Sequence, residues 1–260
     1  MTPFRCALMS GRGRASPALV QATPLSLDFA AGAYGVGANV YGSIGAVPGY
    51  AFSRSGEQGA MRADGTVDWF AANVPAITDR GYHAYAALTN SVAQSQNFAV
   101  APWIPWAGAT VDSNVAAAPD GTTTADRLSF AASAGSQLYF DGGVANATLS
   151  LWARCESGTR TFRLYASDGS VTSPEFTATT SWQRFVHGYA GLPPYTGILN
   201  GSAGSAGSIL VWQAQALAGS FADGGPMIRT SGAPASIGAS ALSLAAAPGE
   251  YLATFTFDDQ

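Results

Sequence analysis

Two short runs set aromatic rings beside guanidinium groups at alternate positions: Leu149-Ser-Leu-Trp-Ala-Arg154 and Thr161-Phe-Arg-Leu-Tyr165. A strand turns successive side chains to opposite faces. Leu149, Leu151 and Ala153 then share one face while Trp152 and Arg154 take the other, and Phe162, Leu164 and Ala166 likewise oppose Arg163 and Tyr165. If the apolar sets meet in a core, Trp152, Arg154, Arg163 and Tyr165 share an outer face. A ring beside Arg donors suits sugar recognition, because the ring stacks on the C–H face of a pyranose and the guanidinium bonds hydroxyls or acidic groups. Trp152 equally fits packing under a loop or against a neighbouring subunit. Trp103 and Trp106, in Pro102-Trp-Ile-Pro-Trp106, either add stacking surface or cover the rim of a sandwich.

Asp112, Asp120 and Asp126 could together hold a structural calcium ion, which takes oxygen ligands. Asp120 also fits a turn at Pro119-Asp-Gly121, and Asp126 the start of a strand. No other cofactor is implied. His83 and His187 fall in no metal or nucleophile motif, and no Gly-x-Ser-x-Gly elbow occurs. The carboxylate pairs Asp64 with Asp68 and Asp258 with Asp259 sit in turn-like or terminal segments, whereas glycoside hydrolysis needs two carboxyls across a cleft. Gly32-Ala-Tyr-Gly-Val-Gly37 lacks both the Gly-Lys-Ser/Thr ending and the helical period of a phosphate loop. A non-enzyme is expected.

Composition narrows the partners. Charged residues make up 11% of 260 residues, and the net charge is −4. Nucleic-acid binding needs a basic stripe, so it is not expected. Every basic residue is Arg, which fits a GC-rich coding bias. Cys6 and Cys155 are too few for a disulfide framework and read as free thiols. No apolar run reaches the length of a membrane helix, so membrane insertion is not expected. The stretch before Asp28 is too interrupted for a secretory leader, so cytoplasmic synthesis is expected.

The elements that must position these residues read as strands. Residues 1–24 form a basic, proline-punctuated arm; 25–97 a β-rich attachment segment with a hairpin around Asp64-Gly65; 98–230 an antiparallel jelly-roll β-sandwich; and 231–260 a C-terminal hairpin. Within the sandwich, strands are predicted near 127–131, 137–140, 148–154, 161–166, 182–189 and 209–216, with Gly201 to Ser208 a solvated loop. The fold class is therefore all-β.

The succession Phe52-Ser-Arg54, Ala63-Asp-Gly65, Ala71-Ala-Asn-Val-Pro75, Ala87-Leu-Thr-Asn90 and Gln96-Asn-Phe98 resembles the N-terminal half of tail- and head-fibre proteins of phages and gene transfer agents. Ala117-Ala-Pro-Asp-Gly-Thr-Thr-Thr-Ala-Asp126, Leu149 to Arg154, Trp182-Gln-Arg184, Val211-Trp-Gln-Ala-Gln215 and Gly219-Ser-Phe-Ala222 resemble the carbohydrate-binding-module-like jelly roll that follows. Those relatives often carry Gly where Gln213 stands and an acidic residue near Ala87 to Asn90. Phe255-Thr-Phe-Asp-Asp259 resembles a strand that continues into a further segment in similar proteins.

The resemblance implies a virion fibre or spike subunit, synthesised in the host cytoplasm, whose jelly roll binds host surface polysaccharide and whose N-terminal part contacts other virion proteins. A homo-oligomer, a trimer or ring, is expected. The alternatives are a purely structural decoration or connector of capsid or tail and, as a minor one, a glycan hydrolase.

Overall fold

Short β-branched and aromatic runs, broken every few residues by Gly, Pro or Asp-Gly, favour strands and leave no room for a helical period. The computed structural model describes residues 5–7, 23–166, 171–245 and 251–254, and among them it holds strands and one 3-10 turn, Ile44–Ala46. The chain opens with β1 (Arg5–Ala7), β2 (Thr23–Asp28), β3 (Ala33–Val36), β4 (Asn39–Tyr41) and β5 (Tyr50–Ser53). It continues through β6 (Gln58–Met61), β7 (Val67–Phe70), β8 (Ile77–Thr78), β9 (Gly81–Tyr82) and β10 (Leu88–Asn90). Most of the expected arm, and the pair Asp258 and Asp259, lie outside the described residues.

The sandwich follows: β11 (Ile104–Trp106), β12 (Thr110–Ala116), β13 (Ala125–Phe130), β14 (Gln137–Asp141), β15 (Ala147–Arg154) and β16 (Arg160–Ala166). Then come β17 (Val171–Thr172), β18 (Phe176–Ala178), β19 (Gln183–Tyr189), β20 (Tyr195–Asn200) and β21 (Gly207–Ala218), and finally β22 (Ala235–Ile237), β23 (Ala241–Leu244) and β24 (Tyr251–Thr254). One sheet runs β12-β13-β21-β15-β19 and the other β11-β14-β20-β16-β17, with β18 also on β16. Every pairing within them is antiparallel. From β13 to β16, and again from β19 to β21, consecutive strands alternate between the sheets, which is jelly-roll connectivity. Leu128, Leu138, Leu151, Phe162, Leu164, Ile198 and Val211 meet between them. Pro105 is tolerated because β11 is an edge strand that pairs only with β14.

The structure corrects three expectations. The strand β20, central to its sheet, was not predicted, because Pro193-Pro194, an internal Gly197 and the following Gly201 all read as turn. The C-terminal strands form no hairpin with each other: β22 pairs with β10, β23 with β5, and β24 with β1 and β2. The boundary at 97/98 falls inside a packed unit, since Val92 and Phe98 both enter the sandwich core. The hairpin around Asp64-Gly65 is present as β6 and β7, with Gly65 at φ 85°.

That hairpin lies on the outer face of the first sheet. Met61, Val67 and Trp69 pack there on Trp152, Trp212 and Met227. Beside them the chain lays Asn90 to Gln96 and Pro226 to Thr230 over β21 through side-chain amides. Asn90 Nδ2 donates to the carbonyls of Ala214 and Ile228, and its Oδ1 accepts from the amides of Val92 and Ala216, all at 2.9–3.2 Å. Gln215 Oε1 accepts from the Ile228 amide and its Nε2 donates to the Pro226 carbonyl. Asn90 is wholly buried, so Asn90→Ala strands several backbone groups without partners. A loss of about 2–4 kcal/mol in unfolding free energy is expected, read from the denaturant midpoint at unchanged m-value; a loss below about 1 kcal/mol would show that water replaces the amide.

Candidate functional site

Alternation places the apolar residues as expected: Leu149, Leu151, Ala153, Phe162, Leu164 and Ala166 all face the core. It does not say which sheet a strand joins. β15 belongs to the first sheet and β16 to the second, so Trp152 and Arg154 lie on one outer face and Arg163 and Tyr165 on the opposite one. The expected shared face does not exist. Trp152 is only 2% exposed, covered by the β6–β7 layer and set edge-on to Trp212 at 6.3 Å. The Arg154 guanidinium lies 5.2 Å from the Trp182 ring. Trp103 points inward, 5% exposed; its Nε1 donates to the Gln94 carbonyl and its ring contacts Phe98 and Phe140.

What remains is the outer face of the second sheet. Register fixes its members, because directly paired residues point the same way. Trp106 is opposite Gln137, and Ile104 opposite Tyr139. Tyr139 is in turn opposite Gly197, and Asp141 opposite Tyr195. Gly197 is opposite Tyr165, and Leu199 opposite Arg163. Since Leu138, Phe140, Phe162, Leu164 and Ile198 point into the core, Trp106, Tyr139, Tyr195, Arg163 and Tyr165 point out. Trp106 is 59% exposed and Tyr195 41%, and Tyr139 meets Tyr195 edge-on at 5.5 Å between centroids.

These aromatics run diagonally across three strands. Each step moves one strand across and two residues along, so the row from Trp106 through Tyr139 to Tyr195 extends on the order of 16 Å. Gly197 is required in the middle. A Cβ there would collide with the Leu138 carbonyl oxygen and come within 2.8 Å of the Tyr139 Cα. Around this bare backbone sit Tyr139 and Tyr165, one on each side. Tyr165 is 2% exposed and its hydroxyl finds no hydrogen-bond partner among the described residues. Burial, with Tyr139 and Tyr195 nearby, pushes its phenol pKa upward, so it stays a neutral donor and acceptor. Arg163 is half-buried; its Nε is shielded from water and unpartnered.

Sequence reasoning named Trp106, Arg163 and Tyr165 as candidates, but set Arg163 and Tyr165 beside Trp152 and treated Trp106 separately, and it missed Tyr139 and Tyr195. Tyr139 was legible, since it alternates with Leu138 and Phe140. Tyr195 was hidden by the two prolines before it.

The calcium expectation fails on geometry. Asp112 faces Arg127 at 3.4 Å; Asp120 accepts from the Thr122 amide, the Thr122 hydroxyl and Trp69 Nε1. Asp126 is fully buried and accepts from the amides of Phe98 and Asn114, each at 2.7 Å. The three turn to separate partners, and among the described residues no group of three or more His, Cys, Asp and Glu is placed to hold a metal. Asp64 accepts from Thr66 within its own turn and Asp68 pairs with Arg62, so this pair spans no cleft. His83 Nε2 shares a 2.8 Å hydrogen bond with Thr78 Oγ1, and burial lowers the pKa of both histidines.

No protein-family model matches the chain, and no curated protein matches it. Solved structures do. A family 11 carbohydrate-binding module from Clostridium thermocellum, in complex with a β-1,3-1,4-mixed-linked tetrasaccharide, matches at 13% identity and TM-score 0.35, over 53% of this chain and 99% of that one. A family 29 carbohydrate-binding module matches at 9% identity and TM-score 0.40, over 54% and 96%. An arabinose-bound family 51 α-L-arabinofuranosidase matches at 15% identity and TM-score 0.39, over 57% of this chain and 29% of that one. At such scores the ligands named there remain properties of those proteins.

The two tryptophan environments separate by stability. Trp152→Ala is expected to cost about 3–5 kcal/mol, and Trp106→Ala less than about 0.5 kcal/mol, both read by denaturant titration. Asp126 supplies a pH signature. Burial raises its folded pKa above the ordinary 3.8, so the native state holds the proton more tightly than the unfolded chain. Its contribution is therefore greatest below the unfolded value and falls away as pH rises through the folded one. Between about pH 7 and about pH 4, the stability difference between wild type and Asp126→Asn should shift toward wild type on acidification; a difference constant with pH would contradict the burial effect.

Proposed function

We propose that this chain is a non-catalytic glycan-binding protein of a phage or phage-like particle, a fibre or spike subunit that holds host surface polysaccharide on the outer face of its second sheet. The observation that carries the binding reading is asymmetry. The chain's own β6–β7 hairpin and amide-bound segments cover one sheet, while the other leaves Trp106, Tyr139 and Tyr195 in a row with Tyr165 and Arg163 unpartnered beside them. Stacking rings supply sequence-tolerant contact area, and the free polar groups supply hydrogen bonds that orient a hydroxyl-rich ligand. A linear row suits a chain of several sugar rings rather than one terminal residue. The particle setting is supported by the sequence resemblance from Phe52 to Ala222.

A second reading draws on the same exposure. Trp106, Tyr195 and Leu192, the last 71% exposed, would also suit burial against another copy in a homo-oligomer that serves only as a structural subunit.

Binding of the purified chain to host cells with and without their surface polysaccharide separates the readings. Trp106→Ala and Tyr195→Ala should each weaken binding by about five- to thirtyfold, or about 1–2 kcal/mol. Equal binding to stripped and intact cells would sink the glycan reading. Dissociation of an oligomer by Trp106→Ala in sedimentation, without any glycan binding, would favour the structural one.

A further inference from the structure

Within that proposed site, one charged group forms no ion pair among the described residues. Arg163 is the only cation among the outward residues of β11, β14, β20, β16 and β18. Its guanidinium makes no hydrogen bond or ion pair among the described residues, although its Nε is already stripped of water. Two residues along the same strand, on the same face, the Tyr165 hydroxyl is buried and equally unpartnered. The Nε atoms of Arg154, Arg160 and Arg184 are likewise buried without a partner, but other nitrogens of those guanidinium groups donate within the protein, which none of Arg163 does among the described residues. Arg160 donates to Asn200 and to the carbonyls of Ser205 and Ala206, Arg229 forks onto Glu57, and Arg127 onto Glu156.

The carboxylates nearest this face are engaged or distant. Glu175 accepts from the amide and hydroxyl of Ser202, which with a weaker pull from Arg163 holds its carboxyl below the usual range. Asp141 stands opposite Tyr195, two strands away from Arg163 and at the far end of the row. The net charge of −4 is spread over the chain and is screened beyond about 10 Å in ordinary salt. A planar guanidinium with its Nε desolvated is matched by the two oxygens of a carboxylate in a way that a single sugar hydroxyl does not match.

Resting on the glycan reading, we infer that the polysaccharide held on this face is acidic: Arg163 takes the carboxylate of a uronic acid or similarly carboxylated sugar, and the Tyr165 hydroxyl donates to the same group while the aromatic row stacks the neighbouring rings. Arg163 and Tyr165 are then the specificity-determining residues, and Trp106, Tyr139 and Tyr195 supply affinity for any polymer of suitable shape.

The test is calorimetric titration of the full chain with a panel of polyuronates and the carboxyl-reduced, neutral counterpart of each. Wild type should bind the acidic form roughly tenfold or more tightly than the reduced form, with the preference shrinking as salt rises. Arg163→Gln should abolish the preference, Arg163→Lys should keep part of it, and Tyr165→Phe should lower it at unchanged circular dichroism. Equal affinity for the two forms, or a preference that survives Arg163→Gln, overturns the inference. If Trp106→Ala then still weakens binding of both forms by about five- to thirtyfold, the glycan site stands and only its acidity is lost. If neither form of any polymer binds, the site reading falls and takes the inference with it.

Discussion

The backbone of β21 turns left-handed at Gln213, φ 50°, and much of the molecule follows from that residue. On β15 the pairing passes from Ser150 opposite Gln215 to Trp152 opposite Trp212, so two residues of β21 face one of β15. This bulge breaks the alternation. Val211 and Ala214 both reach the core, while Trp212, Gln213 and Gln215 all turn outward. A non-glycine residue in this region costs about 1–3 kcal/mol and persists only where its surroundings hold it. Here Gln213 Nε2 donates to the Ile228 carbonyl at 2.9 Å and its Oε1 accepts from Gln96 Nε2 at 3.1 Å. A Gly at this position would fit the dihedral and lose both bonds.

The outward trio recruits the cover. Trp212 stands between Trp152 and Trp69, edge-on to each at 6.3 Å, and its Nε1 donates to Thr124. Trp69 is fixed in turn by Asp120 through its Nε1 and by Arg229, whose guanidinium lies 4.2 Å from its ring and is held by Glu57. The glutamines receive 226–230, and Asn90 anchors the segment that leads to Phe98. One sheet face is thus closed by elements from both sides of the sandwich in sequence. No equivalent bulge lies on β20, whose straight register with β14 and β16 presents Tyr139 and Tyr165 on either side of Gly197.

How much of this was legible depends on the range of the interaction involved. The inward set of β15 and β16 could be read from alternation, because that rule concerns one strand at a time. So could the turn at Asp64-Gly65, whose chemistry is local. The assignment of Trp152 to a covered face could not, since it depends on Trp69, some eighty positions earlier. Asp120 and Asp126 looked like ligands because carboxylates near a turn do bind calcium; their actual partners, Trp69 and Phe98, are contributed by distant segments. The candidate site was half legible: Trp106, Arg163 and Tyr165 were named, but β20, which lies between β14 and β16, follows Pro193-Pro194 and holds Gly197, so the stretch reads as turn.

The strand pairings also distribute roles across the molecule. β23 returns to β5, β22 to β10, and β24 to β1 and β2, so segments from both ends of the chain pair with each other rather than with the sheet that carries Trp106. Of the elements that flank the sandwich, those that pack on it do so over Trp152, Trp212, Leu217 and Met227, all on or beside the first sheet. For the proposed fibre or spike subunit this separation matters, because attachment that buried the aromatic row would abolish the proposed binding. The bulge at Gln213 secures it structurally: by turning three large side chains of one central strand outward, it makes the first sheet the face that demands a cover, while among the described residues no such layer lies over the second.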